Sequence, residues 1–198
     1  VTKAELIEGI VHMPSPVRYT QHAQPDGIIQ GWLHYYAART PGTQYAPNAT
    51  VRLDADNVPQ PDALLRLLPE CGGRTRIDPE GYLTGPPELI VEIAASSVSI
   101  DLHDKLRAYR RGGAREYLVW RNLDQQFDWF HLERDEYHPL APDAQRRLHS
   151  PHFPGLTLAL DPLLALDSAA VLDVLQAALQ APVHGAFIAQ LAQARAKA

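Results

Sequence analysis

Two acids, Asp62 and Glu92, are the residues whose types and settings most readily support chemistry. Glu92 is the polar member of Glu88-Leu89-Ile90-Val91-Glu92-Ile93-Ala94, a short β-branched run of the kind that forms a strand covered on both faces. A carboxylate there must be compensated, either by hydrogen bonds and a cationic side chain or by a bound cation. Asp62 follows Pro59-Gln60-Pro61, where an aspartate alone can simply shape a turn. Taken together, two carboxylates entering from adjacent strands suit a hard cation such as Mg2+, which takes oxygen ligands and retains several waters. Such an ion orients and acidifies an attacking water and neutralises charge on a phosphoryl oxygen. Lys105 stands four residues after Asp101, so on a helix the two are neighbours. They make either a solvated ion pair or an ammonium turned back over the strand end, where it would stabilise developing negative charge.

Elements that would position these groups can be read from the periodicity. Thr2 to Glu8 reads as a short helix stopped by Gly9, and Ile28, Trp32, Tyr35 and Tyr36 mark a long amphipathic helix within Tyr19–Thr40. Val51-Arg52-Leu53 and Asp62-Ala63-Leu64-Leu65 read as two strands joined by the turn Asp54-Ala55-Asp56-Asn57, and Arg74–Gly85 as an exposed turn or hairpin. After the Glu88–Ala94 strand, Ser96, Ser97 and Ser99 offer capping hydroxyls for a helix striped by Leu102, Leu106 and Tyr109 and ended at Gly112-Gly113. Glu116–Trp120 and Phe127–His131 are strands around Asn122-Leu123-Asp124; Leu156–Leu160 is a last strand. Ser168–Gln180 is a helix closed by Pro182, and the alanine-rich end, Ala189 to Ala198, is a frayed helical tail. The expected organisation is one domain over residues 1–181 with a tail at 182–198.

Pro61-Asp62, then Gly85-Pro86-Pro87-Glu88 to Ile93, then Asp101, Lys105, Tyr109, Gly112 and Glu116-Tyr117 follow one another in an order and spacing that resemble the Uma-type family of putative restriction endonucleases. Glu5 to Gly9 and Phe153 to Leu156 extend the similarity over about the first 165 residues. The resemblance implies the PD-(D/E)XK nuclease fold, an α/β restriction-endonuclease-like core with a mixed, largely antiparallel sheet flanked by helices. It matches Asp62 and Glu92 to the family's metal-binding acids and Glu8 to an acidic position on the opening segment. A lysine is usual two residues after the second acid, where Ala94 stands; the resemblance implies that Lys105 supplies it. Leu118 and Arg121 depart from the family pattern, away from the metal-binding positions.

The expected activity is hydrolysis of DNA phosphodiesters dependent on Mg2+ or Mn2+; the alternative is an inactive nuclease-fold module for DNA binding or assembly. A homodimer is expected because cutting both strands of a duplex gains from paired sites, with Trp129 and Phe130 near a sheet edge contributing. Hydrophobic residues at 45% and charged residues at 21% suit a folded chain, and the net charge of −5 argues against a surface that grips nucleic acid everywhere. No run approaches the roughly 18 apolar residues of a membrane span, there is no basic-then-apolar start, and the lone Cys71 cannot form an internal disulfide, so a cytoplasmic protein is expected. His149 and His152 bracket Ser150-Pro151 and offer no helical zinc face. Arg107, Arg110, Arg111 and Arg115 form a solvated helix face or meet phosphates, and Trp32, Trp120 and Trp129 read as core or interface residues.

Overall fold

In the computed structural model, which describes residues 4–13, 16–95 and 98–198, the chain opens with a hairpin of β1 (Glu5–Ile7) and β2 (Ile10–His12). The short helix expected up to Glu8 is not formed among the described residues. Glu5 and Ile7 face inward while Leu6 exchanges hydrogen bonds with Val58, an alternation of period two that a helix cannot satisfy. The turn falls on Glu8 and Gly9, at φ 52° and 75°.

A π-helical turn, Tyr19–Ala23, leads into α1 (Gln24–Arg39), which buries Ile28, Ile29, Trp32, Leu33 and Tyr36 as the spacing predicts. Then come β3 (Thr43–Pro47), β4 (Val51–Arg52), β5 (Ala63–Leu67), β6 (Arg76–Ile77) and β7 (Leu83–Thr84). β4 and β5 are not partners, contrary to the expected hairpin: β4 pairs with β7 in a small three-stranded sheet, and β5 lies in the main sheet. The turn Asp54–Asn57 closes on itself, Val58 turns to Leu6, and Pro59 and Pro61 have no N–H to extend a ladder. The hairpin expected within Arg74–Gly85 is β6–β7.

β8 (Leu89–Ala94) is buried throughout. Ser96 and Ser97, two of the proposed capping residues, lie outside the described residues, and Ser99 makes no capping bond with its side chain. A second π-helical stretch, Ile100–Lys105, passes into α2 (Leu106–Gly112), ended by Gly113 at φ 87° with its N–H on Tyr109 and Arg110 carbonyls. β9 (Glu116–Arg121), β10 (Gln126–Glu133) and β11 (Glu136–Pro139) complete a six-stranded sheet in the order β11-β10-β9-β8-β5-β3. Within this sheet β8 and β9 are parallel, joined by the helical crossover that parallel strands need, and its other neighbours pair antiparallel. This is the mixed, largely antiparallel sheet flanked by helices that was expected.

β12 (Arg147–His149) and β13 (Thr157–Ala159) pair beside the core, followed by α3 (Leu160–Leu164), α4 (Ser168–Ala178) and α5 (Pro182–Arg195). Pro182 does not merely close the preceding helix; it starts α5 at the position where a missing N–H costs nothing. α5 is docked, with Phe187 and Leu191 in the main core, and Leu191 lies inside the segment expected to fray. Trp129 is also inside, edge-on to Trp32 at 5.8 Å on a strand flanked by β9 and β11, and so is not available for the dimer contact expected of it.

Alternation along β8 divides the interior. Leu89, Val91 and Ile93 join α1 and the C-terminal helices in the larger core; Ile90 and Ala94 join Tyr109, Tyr117 and Val119 on the face covered by α2. Glu92 belongs to this second face. Among the described residues, no single helix is long and apolar enough to cross a membrane.

Candidate active site

β5 and β8 run antiparallel with Ala63 opposite Val91, and Asp62, the residue just before β5, meets β8 beside Glu92 through its side chain. Thirty positions of sequence are thus closed by strand pairing. Asp62 Oδ2 accepts the Ile93 N–H at 2.7 Å and lies 3.2 Å from His22 Nε2 in the turn before α1. Its backbone carbonyl accepts from Gln30 Nε2 at 2.8 Å, and Gln30 is held in turn by Asp26 and the Tyr45 hydroxyl. The aspartate is therefore fixed by both β8 and α1.

Glu92 meets donors from the helical crossover. Lys105 Nζ stands 3.0 Å from Glu92 Oε1, and the Tyr109 hydroxyl donates to the same oxygen at 2.8 Å. The ammonium also lies 3.1 Å from Glu5 Oε2 and 3.6 Å from Asp101 Oδ1. Glu5 reaches in from β1, its other oxygen accepting the Gln60 N–H at 2.6 Å. All five charged side chains, Glu5, Asp62, Glu92, Asp101 and Lys105, are buried. Burial pushes the Glu92 carboxyl well above its usual range; Asp101, Asp62 and Glu5 push the same way, and Lys105 opposes them. For Lys105, burial favours the neutral amine, but Glu92, Asp101 and Glu5 together overcome it and hold the ammonium above its ordinary pKa. Three carboxylates thus surround one ammonium, and Asp62, beside His22, stands close enough to raise the Glu92 pKa further.

Of the residues singled out from the sequence, Asp62, Glu92 and Lys105 converge, and Glu8 stands apart. The Glu8 carboxylate is engaged by Arg111 at 2.6 Å toward the surface, a hydrogen bond that lowers its pKa. The opening segment instead delivers Glu5, missed because a helix was expected there; read as a strand, Glu5 shares the inward face with Ile7. Asp101 also joins as a buried partner of Lys105 rather than a solvated one. On the arginine-rich face, Arg107, Arg110 and Arg111 are paired with Asp104, Glu136 and Glu8.

Among the described residues, no three His, Cys, Asp or Glu side chains form a ready metal-ligand group. That composition does not fit zinc, whose protein sites draw on three or four nitrogen or sulfur donors. It does fit magnesium, which binds through one or two carboxylates and keeps its remaining waters. Asp62 and Glu92, both buried and brought together at β8, are a donor set of that kind.

The family model described as Uma2, Putative restriction endonuclease, matches residues 2–161. The chain belongs to the Uma2 family. The Uma2 match takes in the whole cluster, from Glu5 to Tyr109, and ends at the start of α3, so α4 and α5 lie beyond it. Among solved structures, a putative nuclease belonging to DUF820 from Anabaena variabilis ATCC 29413 is similar in fold, with a TM-score of 0.61 at 15% identity, over 82% of this chain and 90% of that one. No curated protein matches the chain. Family and fold agree with the restriction-endonuclease-like core expected from the sequence and support a nuclease.

Proposed function

We propose that the chain is an endodeoxyribonuclease dependent on Mg2+ or Mn2+, with Asp62 and Glu92 as the cation ligands and Lys105 as the cationic group of the active site. The observation that carries this reading is two buried acids at one point of β8, Asp62 bonded to the Ile93 N–H and the adjoining Glu92 lying 3.0 Å from a buried ammonium. Bound there, the cation supplies activation of water and neutralisation of charge on a phosphoryl oxygen. Asp62, fixed by the Ile93 N–H, and Glu92, fixed from the crossover, hold their oxygens in place before substrate arrives. Lys105 keeps its proton because three carboxylates surround it, and so offers positive charge to the phosphate rather than acting as a base.

DNA is the substrate that fits a restriction-endonuclease family, and a homodimer would present two such sites to the two strands of a duplex. A second reading, a binding or assembly module that keeps the carboxylates for its fold, draws on the absence of a ready three-ligand group among the described residues. The test is incubation of purified protein with plasmid and single-stranded DNA in Mg2+, Mn2+ or EDTA. Cleavage confined to the divalent ions is the expected result; intact DNA in all three would favour the module. Light scattering at micromolar concentration checks the dimer, and a monomer would remove it.

A further inference from the structure

Two tyrosines meet beneath the charged cluster, Tyr109 on α2 and Tyr117 on β9, with ring centroids 4.9 Å apart and both fully buried. A buried phenol needs a hydrogen-bond partner. Tyr117 donates to the backbone carbonyl of Asp101 at 2.9 Å and so secures the helical turn that carries Lys105. Tyr109 is different: its hydroxyl donates to a carboxylate, Glu92 Oε1, at 2.8 Å. Phenylalanine would fill the same space against Tyr117, so packing alone does not ask for that hydroxyl.

Among the described residues, both donors to Glu92, Tyr109 and Lys105, fall on Oε1. The ammonium is a compact charge on a flexible stem, shared with Glu5 and Asp101, and sets no direction by itself. A hydroxyl on a rigid, packed ring does, because a hydrogen bond weakens steeply away from its preferred line. We infer that Tyr109 is a positioning residue: it holds Glu92 through Oε1 and thereby presents Oε2 as the single oxygen this residue offers to a divalent cation. The inference rests on the cation reading above. Partners that orient a metal-binding side chain in this manner are worth about 10–100-fold in metal affinity.

Mn2+ affinity, read by the electron paramagnetic resonance of free Mn2+, tests this without depending on activity. The variants are Tyr109→Phe, Glu92→Gln, the two combined, and Tyr137→Phe, which removes a hydroxyl that donates to the Ala114 carbonyl instead. Thermal melting is followed in parallel. Tyr109→Phe should weaken Mn2+ binding by about 10-fold or more with a cooperative melt retained, while Tyr137→Phe stays at the wild-type affinity. In the Glu92→Gln background, Tyr109→Phe should add no further loss, because the hydroxyl acts only through that carboxylate. Wild-type affinity in Tyr109→Phe, an additive loss in the double variant, or loss of cooperative melting would each overturn the inference and leave the cation reading standing. Absence of Mn2+ binding by the wild-type protein would overturn both.

Discussion

Replacing Lys105 with methionine keeps a buried stem of similar length and removes the ammonium from among Glu92, Glu5 and Asp101. Among the described residues Glu92 would keep the Tyr109 hydroxyl and Glu5 the Gln60 N–H, so carboxylates that are almost wholly covered lose their counter-charge. Breaking a buried ion pair from one side costs about 3–5 kcal/mol. In a chain of this length each kcal/mol moves the melting temperature by about 2–4 °C, so the variant should melt roughly 6–20 °C below wild type near pH 8. The loss should depend on pH. The Glu92 pKa is raised above 4.5 even beside Lys105, so its contribution to stability falls as pH rises from 4.5 through the folded value. Without the ammonium that folded value climbs further, and protonation toward about pH 5 relieves the unpaired charge. The contribution of Lys105, whose pKa is raised above 10.5, is complete across this range and is lost only at higher pH. The gap between variant and wild type should therefore widen from about pH 5 to about pH 8 in thermal unfolding followed by circular dichroism in EDTA. Equal melting temperatures near pH 8, or a gap that does not change with pH, would refute the electrostatic account of the cluster.

Glu5→Gln should weaken Mn2+ binding or destabilise the fold, whereas Glu8→Gln, on the Arg111 side of the hairpin, should match wild type in both; isothermal calorimetry and melting separate them, and a reversed pattern would restore Glu8 to the site. Glu116 is another buried acid, pushed up to about 7 by burial against the hydrogen bonds from Ser150, His152 and Trp129. Its contribution to stability is full below 4.5 and falls as pH rises to about 7, a change on the order of 3 kcal/mol. Glu116→Gln should flatten the dependence of urea-unfolding stability on pH over that interval, and an unchanged slope would remove the assignment.

Strong periodicity was legible in the sequence. Ile28, Trp32 and Tyr36 marked α1, and the unbroken run Leu89–Ala94 marked the central strand with Glu92 inside it. Asp62 and Glu92 could be paired as candidates because two carboxylates together suit a hard cation and because the resemblance to the Uma-type family matches both. Their meeting depends on pairing of β5 with β8 across distant segments and on the bond from the Ile93 N–H to Asp62, which local pattern does not encode. Short elements misled. Helix formers in Ala4-Glu5-Leu6-Ile7 are overruled by the bonds between Leu6 and Val58, and this hid Glu5 behind Glu8. The β4–β5 hairpin was inferred from proximity in sequence, yet two prolines between them send the strands to different sheets. α5 looked like a tail because its composition is alanine-rich, but Phe187 and Leu191 are enough to dock it. Lys105 was read either as a solvated partner of Asp101 or as an ammonium turned back over the strand end; it is the latter, and its burial among acids follows from the position of the crossover beside β1.

The most direct test of the account is plasmid cleavage by wild type and Asp62→Asn side by side in Mg2+ and in EDTA. Asparagine keeps an oxygen for the Ile93 N–H and removes the charge, so a matching melt would certify the fold while the cation ligand is lost. The account predicts that wild type cuts in Mg2+ and not in EDTA, and that Asp62→Asn is slower by about 100-fold or more. Equal cleavage by both proteins, or cleavage that persists in EDTA, would contradict it.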